Sequence, residues 1–334
     1  MGETKGKQKL ITGIAKFREL GLLGFIGVLV VFFQILNPKF LSLDNLNNLI
    51  TNTAILVILS IGMMLVLITR GIDLSVGSTL ALSGMISALF VSQHPNAHPL
   101  AALFLGILIG VICGVVLGFF VSRVGILPII ASLGLMNILR GTTFWVSGGE
   151  WVSAHQMPAS FKGIATGEIF GVNTLVVIAI IIFLVFYYFV GFTVTGRQIY
   201  AVGSNPDSAD ISGINQKNIL LLVYSIMGGL SGLAGVLWVS KFASAQGDTA
   251  SGYELTVIAA CILGGVSIAG GSGKIVGVLL GAVLLGIIDN ALPLIKVSPF
   301  WQMAIEGIII LTGVLFNTFT KRAVERNNLM RRAI

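Results

Sequence analysis

The chain has 334 residues, 55% hydrophobic and only 10% charged, with 20 basic and 13 acidic side chains and a formal net charge of +7. An average soluble domain carries roughly 25% charged residues, so a soluble fold of this length would be left with a poorly covered surface. The positive residues stand beside apolar runs and form no basic face, which argues against a nucleic-acid partner and for membrane topology. The fold class that remains is all-α: a polytopic membrane protein of about ten transmembrane helices, with both termini cytoplasmic.

Crossing the hydrocarbon takes about 20 apolar residues. Runs of that kind lie near 21–37, 51–69, 75–93, 100–122, 127–146, 170–190, 219–240, 254–270, 273–290 and 299–317. Residues 1–20 are expected to form a basic cytoplasmic segment, 21–317 the transmembrane domain, and 318–334 a basic cytoplasmic tail. The first run has the look of a signal peptide, but it ends in Gln34-Ile35-Leu36-Asn37-Pro38 without a small-x-small cleavage site, and it is read as a retained span. With an even number of crossings and the N-terminus inside, fifteen positive residues fall inside, among them Arg70, Arg123, Arg197, Lys217 and Lys274. Only Lys39, Lys162, Lys241 and Lys296 fall outside. That bias sets the orientation. The joints around 70–74 and 270–273 are so tight that broken or re-entrant segments compete there with simple turns.

Cys113 and Cys261 are isolated within apolar stretches and supply neither a disulfide framework nor metal-ligand spacing. Gly270-Gly271-Ser272-Gly273-Lys274 has the wrong spacing for a phosphate-binding loop and reads as a tight turn or a close helix contact. His94 and His98, with Pro95 and Pro99, read as a solvated outer loop. Trp145 reads as an interface anchor. The outer loop 147–169, with Trp151, is either a second anchor or a contact for a delivering protein.

One joint and one loop stand out. In Gly71-Ile72-Asp73-Leu74-Ser75-Val76-Gly77-Ser78 a carboxylate sits between apolar runs, and Asp73 or Ser75 is placed to cap the free N–H groups of a new helix. Broken helices at membrane depth are also where transporters hold cargo. The cytoplasmic loop at about 196–216 contains a short, fully punctuated helix: Asn205 as N-cap, Pro206 at the first position, Asp207 at the positive end of the dipole, and Gly213 as the left-handed stop. Deep ionisable groups are functional candidates because burying a charge costs several kcal/mol. Arg140, seven residues before Ser147, lies roughly 10 Å below the outer face, and Glu306 lies at a similar depth in the last span. Asp73, Ser75, Asn137, Arg140, Asp289 and Glu306 are the candidate translocation-pathway residues, with Arg140 pairing Glu306 or Asp289. The competing reading of Arg140 is snorkelling to the headgroups.

The stretch Ala201-Val202-Gly203-Ser204-Asn205-Pro206 through Ser212-Gly213-Ile214 resembles the coupling-loop signature of ABC-type sugar import permeases, the membrane subunits serving ribose, xylose, arabinose, galactose, rhamnose and autoinducer-2. Thr69–Ser78, Gly252-Tyr253-Glu254-Leu255 and Leu263–Gly273 resemble the same family, in its order. The patterns Leu139-Arg140-Gly141 to Gly148-Gly149 and Ile288-Asp289-Asn290 lean towards the autoinducer-2 and rhamnose-like members. The resemblance implies a bacterial inner-membrane subunit with no catalytic site, metal or cofactor of its own. ATP and magnesium would be used by a partner ATPase, which would receive the coupling loop: Arg197, Asn205, Pro206, Asp207, Ala209, Ile211, Ser212 and Gly213. It also implies an extracytoplasmic sugar-binding protein and a second permease copy or paralogue. The alternative, an ion-coupled secondary transporter of a small polar solute, needs midplane carboxylates for the ion and gives the capped loop no purpose. An intramembrane enzyme lacks a paired carboxylate, a His/Glu cluster or a Ser-His constellation at helical spacing.

Overall fold

A computed structural model describes residues 18–298 and, beyond them, 300–305, 307–309, 311–312 and 315. Both basic tails and Glu306 lie outside the described residues. The helices in chain order are α1 (Arg18–Leu36), α2 (Leu43–Ile68), α3 (Val76–Gln93), α4 (Pro99–Phe119), α5 (Pro128–Ser147), α6 (Ala159–Thr166), α7 (Thr174–Phe192), α8 (Val194–Ser204), α9 (Pro206–Ile211), α10 (Gln216–Phe242), α11 (Tyr253–Leu263) and α12 (Ile275–Leu294). The described residues from 300 onward are helical too. A two-strand hairpin, β1 (Glu168–Ile169) and β2 (Val172–Asn173), precedes α7 with Glu168 opposite Asn173.

Eight of these helices are long and apolar enough to cross a membrane: α1, α2, α3, α4 with its π-helical extension Phe120–Val124, α5, α7, α10 and α12. The expected span at 254–270 is corrected. Its helix, α11, has 11 residues, which at about 1.5 Å each reach roughly half of a 30 Å hydrocarbon layer. Gly264, Gly265, Gly270 and Gly271 end it in a loop, three of them at positive φ.

Burial sorts the helices into centre and rim. From Thr53 to Ile68, α2 is buried on every face, which is why it shows no polar stripe. On α1, α5 and α7, side chains such as Val28, Ile129 and Leu184 are exposed, as suits helices against hydrocarbon. Small residues set the closest approaches. Gly106, Gly110 and Gly114 on α4 fall at four-residue spacing against Gly228 and Gly232 on α10, where a Cβ on either side would overlap the opposing backbone. Gly277 and Gly281 of α12 meet Ala260 and Gly264 in the same way. This is small-residue packing, the membrane substitute for a hydrophobic driving force between helices.

The segments expected inside meet at one end. Arg70 bonds the end of α8, Arg123 donates to Asn218 at the start of α10, and Lys274 pairs with Glu19 at 2.8 Å. At the other end Lys241 donates to Asn52, Asn37 to the Leu294 carbonyl, and Val152 pairs with Ala245.

Candidate functional site

The cytoplasmic loop expected at about 196–216 folds as its punctuation predicts. Asn205 Oδ1 accepts from the Ser208 amide at 3.1 Å, Pro206 opens α9, and Gly213 adopts φ +80°. Ala209 is buried beneath the helix, while Arg197, Asp207, Ser212 and Gly213 are exposed and Ile211 is 89% exposed. This protrusion is bolted to the bundle from below. Arg70 donates from Nε to the Gly203 carbonyl at 2.6 Å and from its guanidinium to the Ser204 carbonyl at 2.7 Å. Its own φ is +65°, a conformation that costs a non-glycine residue of order 1–3 kcal/mol and persists only where its surroundings impose it. The Gly271 amide donates to the Ile68 carbonyl, and the Tyr200 hydroxyl donates to the Gly273 carbonyl at 2.7 Å. The run Gly270–Lys274 is thus a wedge among α2, α8 and α12, and its glycines are needed because side chains there would strike Arg70 and Ser204.

At the joint between α2 and α3, Asp73 is 3% exposed. Its Oδ1 accepts from both the Ser75 amide, 2.8 Å, and the Ser75 hydroxyl, 2.6 Å. Ser75 is therefore the N-cap residue of α3, held in place by Asp73 two residues before it, and neither side chain bonds an amide within the helix. Ser132 on α5 holds the preceding carbonyl of Ile72. Glu254, in the first turn of α11, lies beside Gly77 in the first turn of α3, where the Ala250 carbonyl also sits. Two helix N-termini therefore meet inside the bundle.

The route into that meeting point is not helical. After α10 the chain pairs Ala245 with Val152 of the outer loop, passes Gly247 against the Phe144 ring, and reaches Gly77 at Ala250. The crossing that began as a predicted outer loop plus a full span is an irregular, turn-rich outer half, 243–252, followed by the half-helix α11. Unwound backbone at this depth is tolerated where it lines a cavity and other groups satisfy it. Arg140 does this by donating to the carbonyls of Gly247, 2.9 Å, and Thr249, 2.8 Å. Of the two carboxylates expected to pair with Arg140, Glu306 lies outside the described residues, and the hydrogen bonds of Arg140 go to backbone. Asp289 lies on α12, and Asn137 is exposed on α5, donating to the Leu133 carbonyl. Neither is brought to Asp73 or Arg140.

A cavity opens beside this turn-rich segment, lined by Trp238, Phe242 and Tyr253 and by polar side chains of 244–251. Sequence reading missed it. The available signal was Gln246-Gly247-Asp248-Thr249, polar residues and glycine between aromatic-flanked apolar runs. Among the described residues no group of three His, Cys, Asp or Glu side chains is placed to hold a metal.

Residues 45–314 match the family described as branched-chain amino acid transport system / permease component. The chain belongs to this family. It is 41% identical to the ribose import permease protein RbsC of Escherichia coli (strain K12), over 86% of this chain and 90% of that one. It is 37% identical to the ribose import permease protein RbsC of Bacillus subtilis (strain 168), over 93% and 96% of the two chains. The Autoinducer 2 import system permease protein LsrC of Salmonella typhi is 31% identical over 93% and 88%. Identity is thus higher to these ribose permeases than to the autoinducer-2 permease towards which the local patterns lean. No solved structure matches the chain at a significant level. As a permease component, the chain is a transport subunit of the membrane.

Proposed function

We propose that the chain is the membrane-spanning subunit of an ATP-binding-cassette importer that carries a ribose-like monosaccharide inward across the bacterial cytoplasmic membrane. A separate ATPase supplies the work, using ATP and magnesium. An extracytoplasmic binding protein delivers the sugar, and a second permease copy or paralogue completes the pathway. The reading rests on one observation above all: α8, which leads directly into α9 and its protruding Ile211 at the basic end, is tied through Arg70 to the end of α2 and through Tyr200 to the loop that follows α11, and Gly271 joins that loop to α2. A push on α9 is therefore delivered to the two helices whose other ends border the break. The ribose permeases above support the choice of sugar.

The test is uptake of labelled ribose by vesicles containing this chain with its ATPase and loaded binding protein. Uptake should require ATP and collapse in Ile211→Asp, whose charge would sit in the ATPase contact, with permease abundance unchanged. Ion-driven uptake by this chain alone would sink the reading.

A further inference from the structure

The cavity beside the turn-rich segment 243–252 has the chemistry of a polyol site. Its volume, about 530 Å³, falls within the roughly 300–1,000 Å³ of small-molecule sites. One wall is aromatic. The Trp238 ring lies 5.0 Å from Phe242 at 50° and 5.3 Å from Tyr253 at 75°, so the three rings bracket one another and leave flat apolar surface along the cavity. The facing wall is the unwound segment, which carries Ser244, Gln246 and Asp248. Gln246 Nε2 donates to the Ser244 hydroxyl at 3.1 Å, and the Gln246 amide takes Thr249 Oγ1 at 3.1 Å, so these groups form one connected wall.

A monosaccharide has matching halves. Its C–H face packs on an aromatic ring, and its hydroxyl pairs donate to a carboxylate, which accepts only, and exchange with an amide, which does both. The balance of charge points the same way. Glu254 and Asp248 both lie within electrostatic reach of the Arg140 guanidinium, so one cation is shared between two carboxylates, which disfavours an anionic solute and leaves Asp248 an acceptor for hydroxyl donors. Arg140 itself is spent on backbone, which leaves it as the residue that holds the wall in place.

We propose that this cavity is where the permease transiently holds its sugar, the C–H face against Trp238 and the hydroxyls on Asp248 and Gln246. The proposal rests on the importer reading above, and it names a step and residues that the reading does not. The complete importer in proteoliposomes, with ribose-loaded binding protein, allows labelled ribose uptake and ATP hydrolysis to be measured together in Trp238→Leu, Trp238→Phe and Asp248→Asn. Losing the ring or the carboxylate should cut sugar moved per ATP hydrolysed by about tenfold. Stimulated ATP hydrolysis should stay within about twofold of the unaltered importer, and W238F, which keeps a ring, should retain most transport. An unchanged ratio in W238L and D248N would overturn the proposal, as would equal loss of uptake and ATP hydrolysis, which marks an assembly role. Failure of the unaltered importer to take up ribose or any other monosaccharide would overturn the importer reading itself, and the proposal with it.

Discussion

Arg140 exchanges one expected role for another. A guanidinium roughly 10 Å inside the outer face invites a carboxylate partner, yet its hydrogen bonds go to the Gly247 and Thr249 carbonyls. Two buried acceptors without a donor cost about 1–3 kcal/mol each. Arg140→Ala should therefore loosen the segment, and amide exchange over 243–252 should quicken while that of α2 stays slow. Equal protection in both proteins would show that the clamp is dispensable. Tyr200 offers a pH test at the opposite end. Burial pushes its phenol above the ordinary range, and the protonated hydroxyl holds Gly273. With the folded value raised, this contribution is complete below the unfolded value of about 10 and is lost as pH rises through the folded one. Tyr200→Phe should lose about 1 kcal/mol at neutral pH and show a shallower alkaline decline, read by thermal unfolding in detergent.

At the scale of elements, the glycines divide by surroundings. Gly110 faces the Gly228 carbonyl across α4 and α10, whereas a Cβ on Gly134 of α5 would meet nothing within 4 Å. Overpacking a close contact costs typically 1–3 kcal/mol, and an open surface site changes stability by about 0.5 kcal/mol or less. Gly110→Leu should lower the melting temperature of the purified protein sharply and Gly134→Ala should not. Equal shifts would mean that α4 and α10 are held by something other than their small-residue stripe. The unwound segment obeys a different rule. Its backbone groups have no ladder of their own, so they depend on α5 and on the loop that follows it.

Across the whole molecule, the two ends are told apart by charge. Arg70, Arg123 and Lys274 make their contacts at the end that carries α9, while Lys162 lies on the short helix α6 beyond α5. A single cysteine at Lys162 should react with a membrane-impermeant maleimide on intact cells, and one at Asp207 only after permeabilisation. The reverse pattern would invert the orientation and place α9 where the proposed ATPase could not reach it.

Length, apolar content and charge bias were enough to establish the membrane class, most crossings and their direction, because hydrophobic runs and flanking cations act locally and need no partner to be read. The capped helix 205–213 was equally legible, since its start and stop are written in adjacent residues. Asp73 was read both as a cap and as a pathway residue, and the fold has it hold Ser75, the N-cap residue, without bonding the helix amides themselves. What only the tertiary structure decided is the crossing at 243–263 and its cavity. There the chain leaves the helix because donors on a distant segment, Arg140 above all, satisfy its carbonyls, and a contact between positions about a hundred residues apart leaves no periodicity in the sequence.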